Sequence, residues 1–221
     1  METEDVRLAI YDGLRRSGRA PSADALAEML EASAADVRQA MGALHEHRDL
    51  VLDAGGELVM AHPFTSVPLG FSVMGQDVLW WGGCAWDSFA IPHLVPEEPW
   101  VVVATTCLGC GAALAWVVDR EAPPQGDHVA HFLTPMAQVW DDVVHACANQ
   151  RIFCSEACVD DWLLARTLER GYVMDLPTLW RLARGWYAGR LDRGYQRRDP
   201  VAAAEYFASV GLHGAFWGLP D

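Results

Sequence analysis

Two chemically reactive side chains, Cys84 and Asp87, stand three positions apart in an otherwise apolar stretch, WWGGCAWDSFAIPHL, residues 80–94. If a helix begins after the glycine pair at 82 and 83, this spacing places thiol and carboxyl on one face of its first turn. Amides at a helix N-terminus lower a thiol's pKa, which favours Cys84 as a thiolate. Burial beside that thiolate would raise the pKa of Asp87. The alternative is an Asp87 that only caps free helix amides.

Four of the other cysteines form two closely spaced pairs. Cys107 and Cys110 stand in CLGCG, at a predicted turn, and Cys154 and Cys158 stand in FCSEAC, ahead of a predicted helix. Two such pairs can bring four thiolates to the corners of a tetrahedron, the arrangement that structural zinc prefers. We therefore predict a structural zinc site at these four residues, the cysteine quartet. Four buried, metal-free cysteines are the alternative.

The sixth cysteine, Cys147, belongs to no spacing motif. Its neighbours in VVHACANQRIF are largely apolar, so we expect it to be at least partly buried. Taken alone, Cys147 and Cys84 are each interpreted as a small core hydrophobe. The histidines near these segments, His62, His93 and His145, are interpreted as packed or surface side chains.

Composition bounds the class of protein. The chain has 221 residues, 52% of them hydrophobic, and ten tryptophans, which is ample for a dense core. It shows neither a secretory signal pattern nor an apolar run of about 18 residues, so we expect a cytoplasmic protein without a membrane partner. A formal charge of −14 argues against nucleic acid as a partner. In a reducing cytoplasm, six cysteines favour metal ligation or thiol chemistry over disulfides.

The N-terminal region predicts three short helices and a hairpin. The first helix covers residues 4–17, and Ser22 and Ser33 are cap candidates for the next two. The segment DLVLDAGGELVM alternates around a glycine pair, which is typical of a hairpin. This order suggests a winged-helix-like module over residues 1–60. Its second and third helices carry four acidic residues against Arg38 alone, which favours a structural or lid role over DNA recognition.

The middle of the chain, residues 61–165, predicts a small mixed or antiparallel sheet packed with helices. Residues 61–75 contain two prolines and are predicted as a loop. Two β-branched runs, WVVVATT and ALAWVVD, predict strands joined by a tight turn. A strand, a helix over residues 136–144 and another strand follow.

From Ser155 onward the sequence predicts helices. The last part, residues 166–221, is predicted as a helical extension packed on the region before it. The predicted fold class is therefore α+β: the winged-helix-like module with its hairpin, the sheet packed with helices, and a helical C-terminal tail.

The segment CAWDSFAIPHLV resembles the active-site segment of the organomercurial lyases (alkylmercury lyases), where an aspartate follows a cysteine by three residues and an apolar stretch with proline comes next. The order of elements is also similar, with a winged-helix-like region before this segment and a strand–turn–strand with a structural cysteine after it, here VATTCLGCGAAL. Laid against the family pattern, CANQRIFCSEACVDDW puts Cys147 at the place of a second essential cysteine. The resemblance covers residues 5–165. The cysteine quartet and the tail have no counterpart in it.

The resemblance implies an enzyme that protonolyses a carbon–mercury bond. Cys84 and Cys147 would hold the mercury of a small organometallic substrate, and Asp87 would deliver the proton to carbon. It implies no organic cofactor, and cellular thiols or a mercury-accepting protein as partners that remove the product. Two alternatives are a metal-binding or metal-sensing protein and a lyase-fold relative that acts on a non-mercury thiophilic substrate.

Overall fold

Three helices open the chain in a computed structural model that describes residues 1–220. They are α1 (Thr3–Ser17), α2 (Ala23–Met29) and α3 (Ala34–Glu46). The predicted caps are confirmed, because the hydroxyls of Ser22 and Ser33 each accept a hydrogen bond from the backbone amide three residues on. α1 ends at Gly18, whose φ of 68° is a left-handed conformation that favours glycine.

A seven-stranded antiparallel sheet follows the helices. Its strands are β1 (Val51–Leu52), β2 (Leu58–Ala61), β3 (Phe64–Thr65), β4 (Phe71–Met74), β5 (Leu79–Gly82), β6 (Trp100–Thr106) and β7 (Ala113–Asp119). Their spatial order is β1-β2-β3-β5-β4-β6-β7. The predicted hairpin is β1–β2, and the two β-branched runs are β6 and β7, paired in continuous register.

The loop predicted over residues 61–75 is wrong in part, because β3 and β4 lie within it. Both strands pair with β5, which comes later in the chain. The two prolines, Pro63 and Pro68, lie just outside the strands, where a missing amide donor costs no ladder hydrogen bond. Proline is therefore a poor guide to strands this short.

A buried helix, α4 (Ala85–Leu94), packs against the large sheet. Its sequence is apolar almost all round, and it accordingly contacts strands on one side and a later helix, α7 (Leu176–Trp186), on the other. Burial alternates along β5, which directs Trp80 and Gly82 inward and leads the chain directly into α4. This strand-to-helix junction positions the predicted site.

The rest of the chain forms a second, three-stranded antiparallel sheet and four helices. The strands are β8 (Val129–Phe132), β9 (Gln150–Phe153) and β10 (Tyr172–Asp175), and the helices are α5 (Val143–Ala148), α6 (Glu156–Arg166), α7, and α8 (Pro200–Ser209). β8 lies between β10 and β9.

Two predictions in this region are corrected. The helix expected over residues 136–144 is a short 3-10 turn at Met136–Gln138 followed by α5, because the Asp142 side chain caps α5 through the His145 amide and so fixes its start. The expected helical tail contains a strand, β10, because residues 172–175 pair with β8. The Asp142 cap is a local signal that the prediction missed, whereas the β8 partner of β10 is distant in the chain and not visible in the local sequence.

The α+β fold class is confirmed. The division at residues 60 and 165 stays a prediction, since β1 and β2 share a sheet with β3–β7 and β10 joins a sheet with β8. Within residues 1–220, every helix is too short or too polar to cross a membrane.

Candidate active site

A cavity of about 640 Å³ opens where the first turn of α4, α5 and the segment after α7 meet. Cys84, Asp87 and Cys147, predicted as catalytic, all line this cavity. Each of the three is at most 3% exposed. The structure therefore brings two cysteines 63 positions apart in sequence and the Asp87 carboxyl to one cavity.

The junction between β5 and α4 sets the position of the first cysteine. Cys84 is the N-cap of α4, and its Sγ accepts a hydrogen bond from the Asp87 amide at 3.3 Å. Gly83 is required here by space, because a Cβ at this position would lie 2.3 Å from Asp87 Oδ2 and 2.8 Å from Met60 Cε. The glycine thus lets the chain pass directly over the Asp87 carboxyl.

The two oxygens of Asp87 differ in their surroundings. Tyr187 Oη donates a 2.5 Å hydrogen bond to Oδ1. Oδ2 is buried and has no hydrogen-bond partner within residues 1–220. Burial raises the pKa of Asp87 to about 7, although the hydrogen bond from Tyr187 and the neighbouring Cys84 thiol oppose the shift. The direction is the one that the sequence predicts, and it lets the carboxyl gain or lose a proton near neutral pH.

The prediction of a thiolate at Cys84 is wrong for the free protein. Burial raises the pKa of Cys84 well above its usual range, and the contact with Cys147 adds to the increase, whereas the Asp87 amide lowers it by less. For Cys147, the hydrogen bond with Cys84 lowers the pKa. Burial and the charge of Asp87 together raise it by more, so the net shift is upward. Both sulfurs are therefore thiols until a ligand arrives.

A histidine that the sequence analysis interprets as packed or surface also reaches this site. His62, in the turn between β2 and β3, is 7% exposed and places Nε2 3.6 Å from Cys147 Sγ. Burial lowers the pKa of His62 to about 3, with the charges of Arg190 and Arg197 acting in the same direction. His62, Asp87 and Cys147 each offer one ligand atom, all within 4.8 Å of one another.

Two further residues come from the C-terminal region, where the sequence analysis found no match. Tyr187 follows α7 and holds Asp87, and burial keeps its pKa well above the usual range, so it remains a proton donor in that hydrogen bond. Arg190 donates to Tyr11 Oη at 2.7 Å and lies over the Tyr187 ring. No spacing motif marks either residue in the sequence, because their roles depend on where the tail folds back.

The cysteine quartet also converges, at a place separate from the cavity. The four sulfurs lie within 4.8 Å of one another. The turn after β6 brings Cys107 close to Cys154, whose amide donates to Cys107 Sγ at 3.4 Å. Gly109 passes against the Cys158 carbonyl, where a Cβ would lie only 2.2 Å away.

Within the quartet the electrostatics favour an anionic sulfur at Cys107. Although burial opposes it, hydrogen bonds from the amides of Cys154, Cys110 and Gly109 lower the pKa of Cys107 to about 7. Burial and the neighbouring thiols raise the pKa of Cys154 to about 12, and the pKa of Cys158 is raised as well. A thiolate is the form of cysteine that ligates metal. The sulfurs of Cys110 and Cys154 are 3.5 Å apart, close to the roughly 3.8 Å that sulfurs adopt around tetrahedral zinc.

Comparisons with known proteins bear on the family and the fold of the chain. The family model described as alkylmercury lyase matches residues 64–188. A solved structure, the crystal structure of the mercury-bound form of MerB2, is similar to this chain with a TM-score of 0.60 and 16% identity, covering 81% of this chain and 88% of that one. At that identity the likeness concerns the fold. No curated protein matches the chain. Because the family model spans more than half of the sequence and includes Cys84, Asp87 and Cys147, this chain belongs to the alkylmercury lyase family.

Proposed function

We propose that the protein cleaves the carbon–mercury bond of organomercurials by protonolysis, with Cys84 and Cys147 as mercury ligands and Asp87 as the proton carrier. The observation that supports this is the convergence of two thiols and a carboxyl of pKa about 7 in one buried cavity. Mercury is a soft ion that prefers sulfur to oxygen or nitrogen, so such a pair binds it strongly.

The first step is an exchange of thiols. A substrate arrives as R–Hg–SR′, Cys84 replaces the R′S group, and the Cys84 proton leaves with it as R′SH. Cys147 then binds the same mercury as a second thiolate, and its proton moves to the Asp87 carboxylate. Cys147, Asp87 and His62 place their ligand atoms within 4.8 Å of one another, a short path for that proton.

The second step breaks the bond. Two thiolates raise the electron density on mercury, the carbon takes the bonding pair, and Asp87 returns the proton to it, releasing R–H. Because Tyr187 occupies Oδ1, the unpartnered Oδ2 is the atom that carries this proton. His62, with a pKa of about 3, is neutral at pH 7 and supplies no proton. Excess thiol then takes Hg²⁺ and returns both cysteines to the thiol form.

The cavity also suits the organic group. Trp86 lines it, with its ring 4.9 Å from that of Trp186 and 6.1 Å from that of Phe207. Such an aromatic wall excludes water, so the electrostatic interactions that assist the proton transfer are stronger. It also gives an apolar R group a surface to contact.

Benzene release from phenylmercury in excess thiol tests the proposal. We expect turnover by the native chain and loss of at least about 100-fold in Cys84→Ser, Cys147→Ser and Asp87→Asn. Asp175→Asn is the matched control, since Asp175 is an exposed helix cap outside the cavity. No benzene above a thiol-only sample would contradict the proposal and favour the metal-sensing protein or a lyase-fold enzyme with another thiophilic substrate.

We further propose that the cysteine quartet binds structural zinc. The four converging sulfurs and the lowered pKa of Cys107 support it. Elemental analysis of freshly prepared, reduced protein should give about one zinc per chain. Cys158→Ser should lose zinc and lower the melting temperature, whereas Cys147→Ser should keep it. Less than about half a zinc per native chain would contradict this second proposal.

A further inference from the structure

The cavity is cationic although the protein is acidic. Four arginines line it, Arg48, Arg190, Arg197 and Arg198, and among residues 1–220 Asp87 is the one acidic residue in the lining. Within residues 1–220, none of these four guanidinium groups forms an ion pair with a carboxylate. In a chain of formal charge −14, this concentration of unneutralised positive charge at one opening is an uneven distribution.

Two of the four arginines have evident structural partners. Arg190 is buried and donates to the hydroxyls of Tyr11 and Tyr195. Arg198 donates to the carbonyls of Gly185 and Trp186 at the end of α7, where free carbonyls attract a cation. Their hydrogen-bonding groups are thus largely engaged by the protein itself.

The other two arginines share a single tryptophan. Arg197 lies 4.7 Å and Arg48 5.5 Å from the centroid of the Trp140 ring. Within residues 1–220, the Arg197 side chain makes one hydrogen bond, at 3.3 Å to the His47 carbonyl. Arg48 is exposed and makes no side-chain hydrogen bond in the part of the chain that the structure describes. Two like charges on one indole repel each other, and an anion between them would relieve that repulsion.

Trp140 connects these cations to the reacting groups. Its ring centroid is 5.8 Å from that of His62, whose Nε2 is 3.6 Å from Cys147 Sγ. A guanidinium at Trp140 is therefore separated from the mercury-binding sulfurs by the widths of two aromatic rings. A carboxylate several bonds away from a bound mercury can span that separation.

We infer that Arg48 and Arg197 bind a carboxylate carried by the incoming mercury complex, so that the preferred substrates are anionic. This inference rests on the proposed function. Planar guanidinium groups bind carboxylates through paired, charge-assisted hydrogen bonds, and positive potential focused at a cavity mouth raises the association rate of anions. The carboxylate belongs either to the organic group R or to the thiolate R′S that accompanies it.

Four mercury complexes separate these two sources. Phenylmercury and 4-carboxyphenylmercury are each presented with 3-mercaptopropanol or with 3-mercaptopropionate, and kcat/KM is measured from benzene or benzoate release. Substituents change the intrinsic reactivity of the complex. For each variant, kcat/KM for a carboxylate complex is therefore divided by kcat/KM for the neutral complex, and this ratio is compared with the ratio in the native chain.

Arg48→Gln and Arg197→Gln should each lower this ratio about tenfold for at least one carboxylate source, the loss expected when charge-assisted hydrogen bonds are removed. Arg166→Gln is the matched control, because Arg166 also lies over a tryptophan, Trp162 at 5.7 Å, but outside the cavity lining. The native preference should shrink as salt is added, since exposed charges are screened. Arg197→Lys, which keeps the positive charge, should retain part of the native preference for carboxylate complexes.

Equal ratios in native, Arg48→Gln and Arg197→Gln chains would overturn the inference while leaving the lyase proposal intact. If the native chain turns over none of the four complexes, the lyase proposal fails instead. Calorimetric titration with the same complexes then tests carboxylate recognition without chemistry. Equal affinity for carboxylate and neutral complexes in that titration would overturn the inference as well.

Discussion

At the scale of single residues, the Asp87 carboxyl has two unlike oxygens. One is fixed by a phenol from the far end of the chain, and the other is buried without a partner within residues 1–220. This division separates orientation from proton transfer, because the hydrogen bond at Oδ1 fixes the plane of the group while Oδ2 stays available. Tyr187 is thus a positioning residue for the proposed reaction.

Removing the Tyr187 hydroxyl should move the pH profile. Its hydrogen bond lowers the pKa of Asp87, so Tyr187→Phe should raise that pKa further above about 7. Because ionised Asp87 accepts the thiol proton in the proposed reaction, kcat/KM for phenylmercury should rise with pH through this value, and the midpoint should shift upward in the variant. Tyr172→Phe, on an exposed hydroxyl that contacts His213, is the control. A midpoint that stays in place would exclude the positioning role.

The raised pKa of Asp87 also has a cost in stability. The folded-state pKa of about 7 exceeds the unfolded value near 3.8. The contribution of Asp87 to the free energy of unfolding is therefore most favourable to the folded state below pH 3.8. That advantage is lost progressively as pH rises to about 7, at roughly 1.4 kcal/mol for each unit. Asp87→Asn should therefore be more stable than the native chain at pH 8, by a margin that grows between pH 4 and 7. Urea unfolding at several pH values measures it, and a pH-independent difference would contradict this account.

At the scale of elements, the junction from β5 to α4 holds the thiol and the carboxyl in register. Cys84 and Asp87 were recognisable from sequence because a spacing of three within one helix turn is a local relation. The caps of α2 and α3, the first hairpin and the β6–β7 pair were predictable for the same reason. β3, β4 and β10 were not, because strands of two to four residues owe their conformation to partners elsewhere in the chain.

Gly83→Ala should test the close passage at this junction. A methyl group there meets Asp87 Oδ2 at 2.3 Å and must displace the carboxyl. We expect turnover to fall by about 100-fold, the effect of displacing a reacting group by about 1 Å. Gly42→Ala, in the middle of α3 with nothing within 4 Å of its Cβ, should keep activity and gain about 0.5–1 kcal/mol in stability. Similar turnover in both variants would contradict the steric argument.

At the scale of the whole molecule, the site is assembled from both ends of the chain. Arg190 joins the two ends, donating to Tyr11 in α1 and stacking on Tyr187, which holds Asp87. The sequence did not assign His62, Tyr187 or Arg190 to the site, because each reaches it only when distant segments of the chain fold together. Cys147 was found through the family resemblance, since its own surroundings carry no motif.

Arg190→Met should lower the stability of the fold more than the loss of an exposed arginine does. It removes a buried cation and leaves the hydroxyls of Tyr11 and Tyr195 without their donor, which should cost about 2–4 kcal/mol in the free energy of unfolding. Arg193→Met, three residues on and exposed, loses surface ion pairs with Glu2 and Asp5 and should cost less than about 1 kcal/mol. Guanidinium unfolding compares them, and equal losses would show that Arg190 does not connect the ends.

One residue of the cysteine quartet, Cys110, is exposed, whereas Cys84 and Cys147, the proposed mercury ligands, are buried. An ion that prefers sulfur as strongly as mercury does would displace zinc from an accessible thiolate. In the proposed reaction each cycle releases mercury, which competes for the sulfurs of the zinc site proposed at the quartet. The concentration of free small thiols around the protein would then set how many cycles each molecule survives.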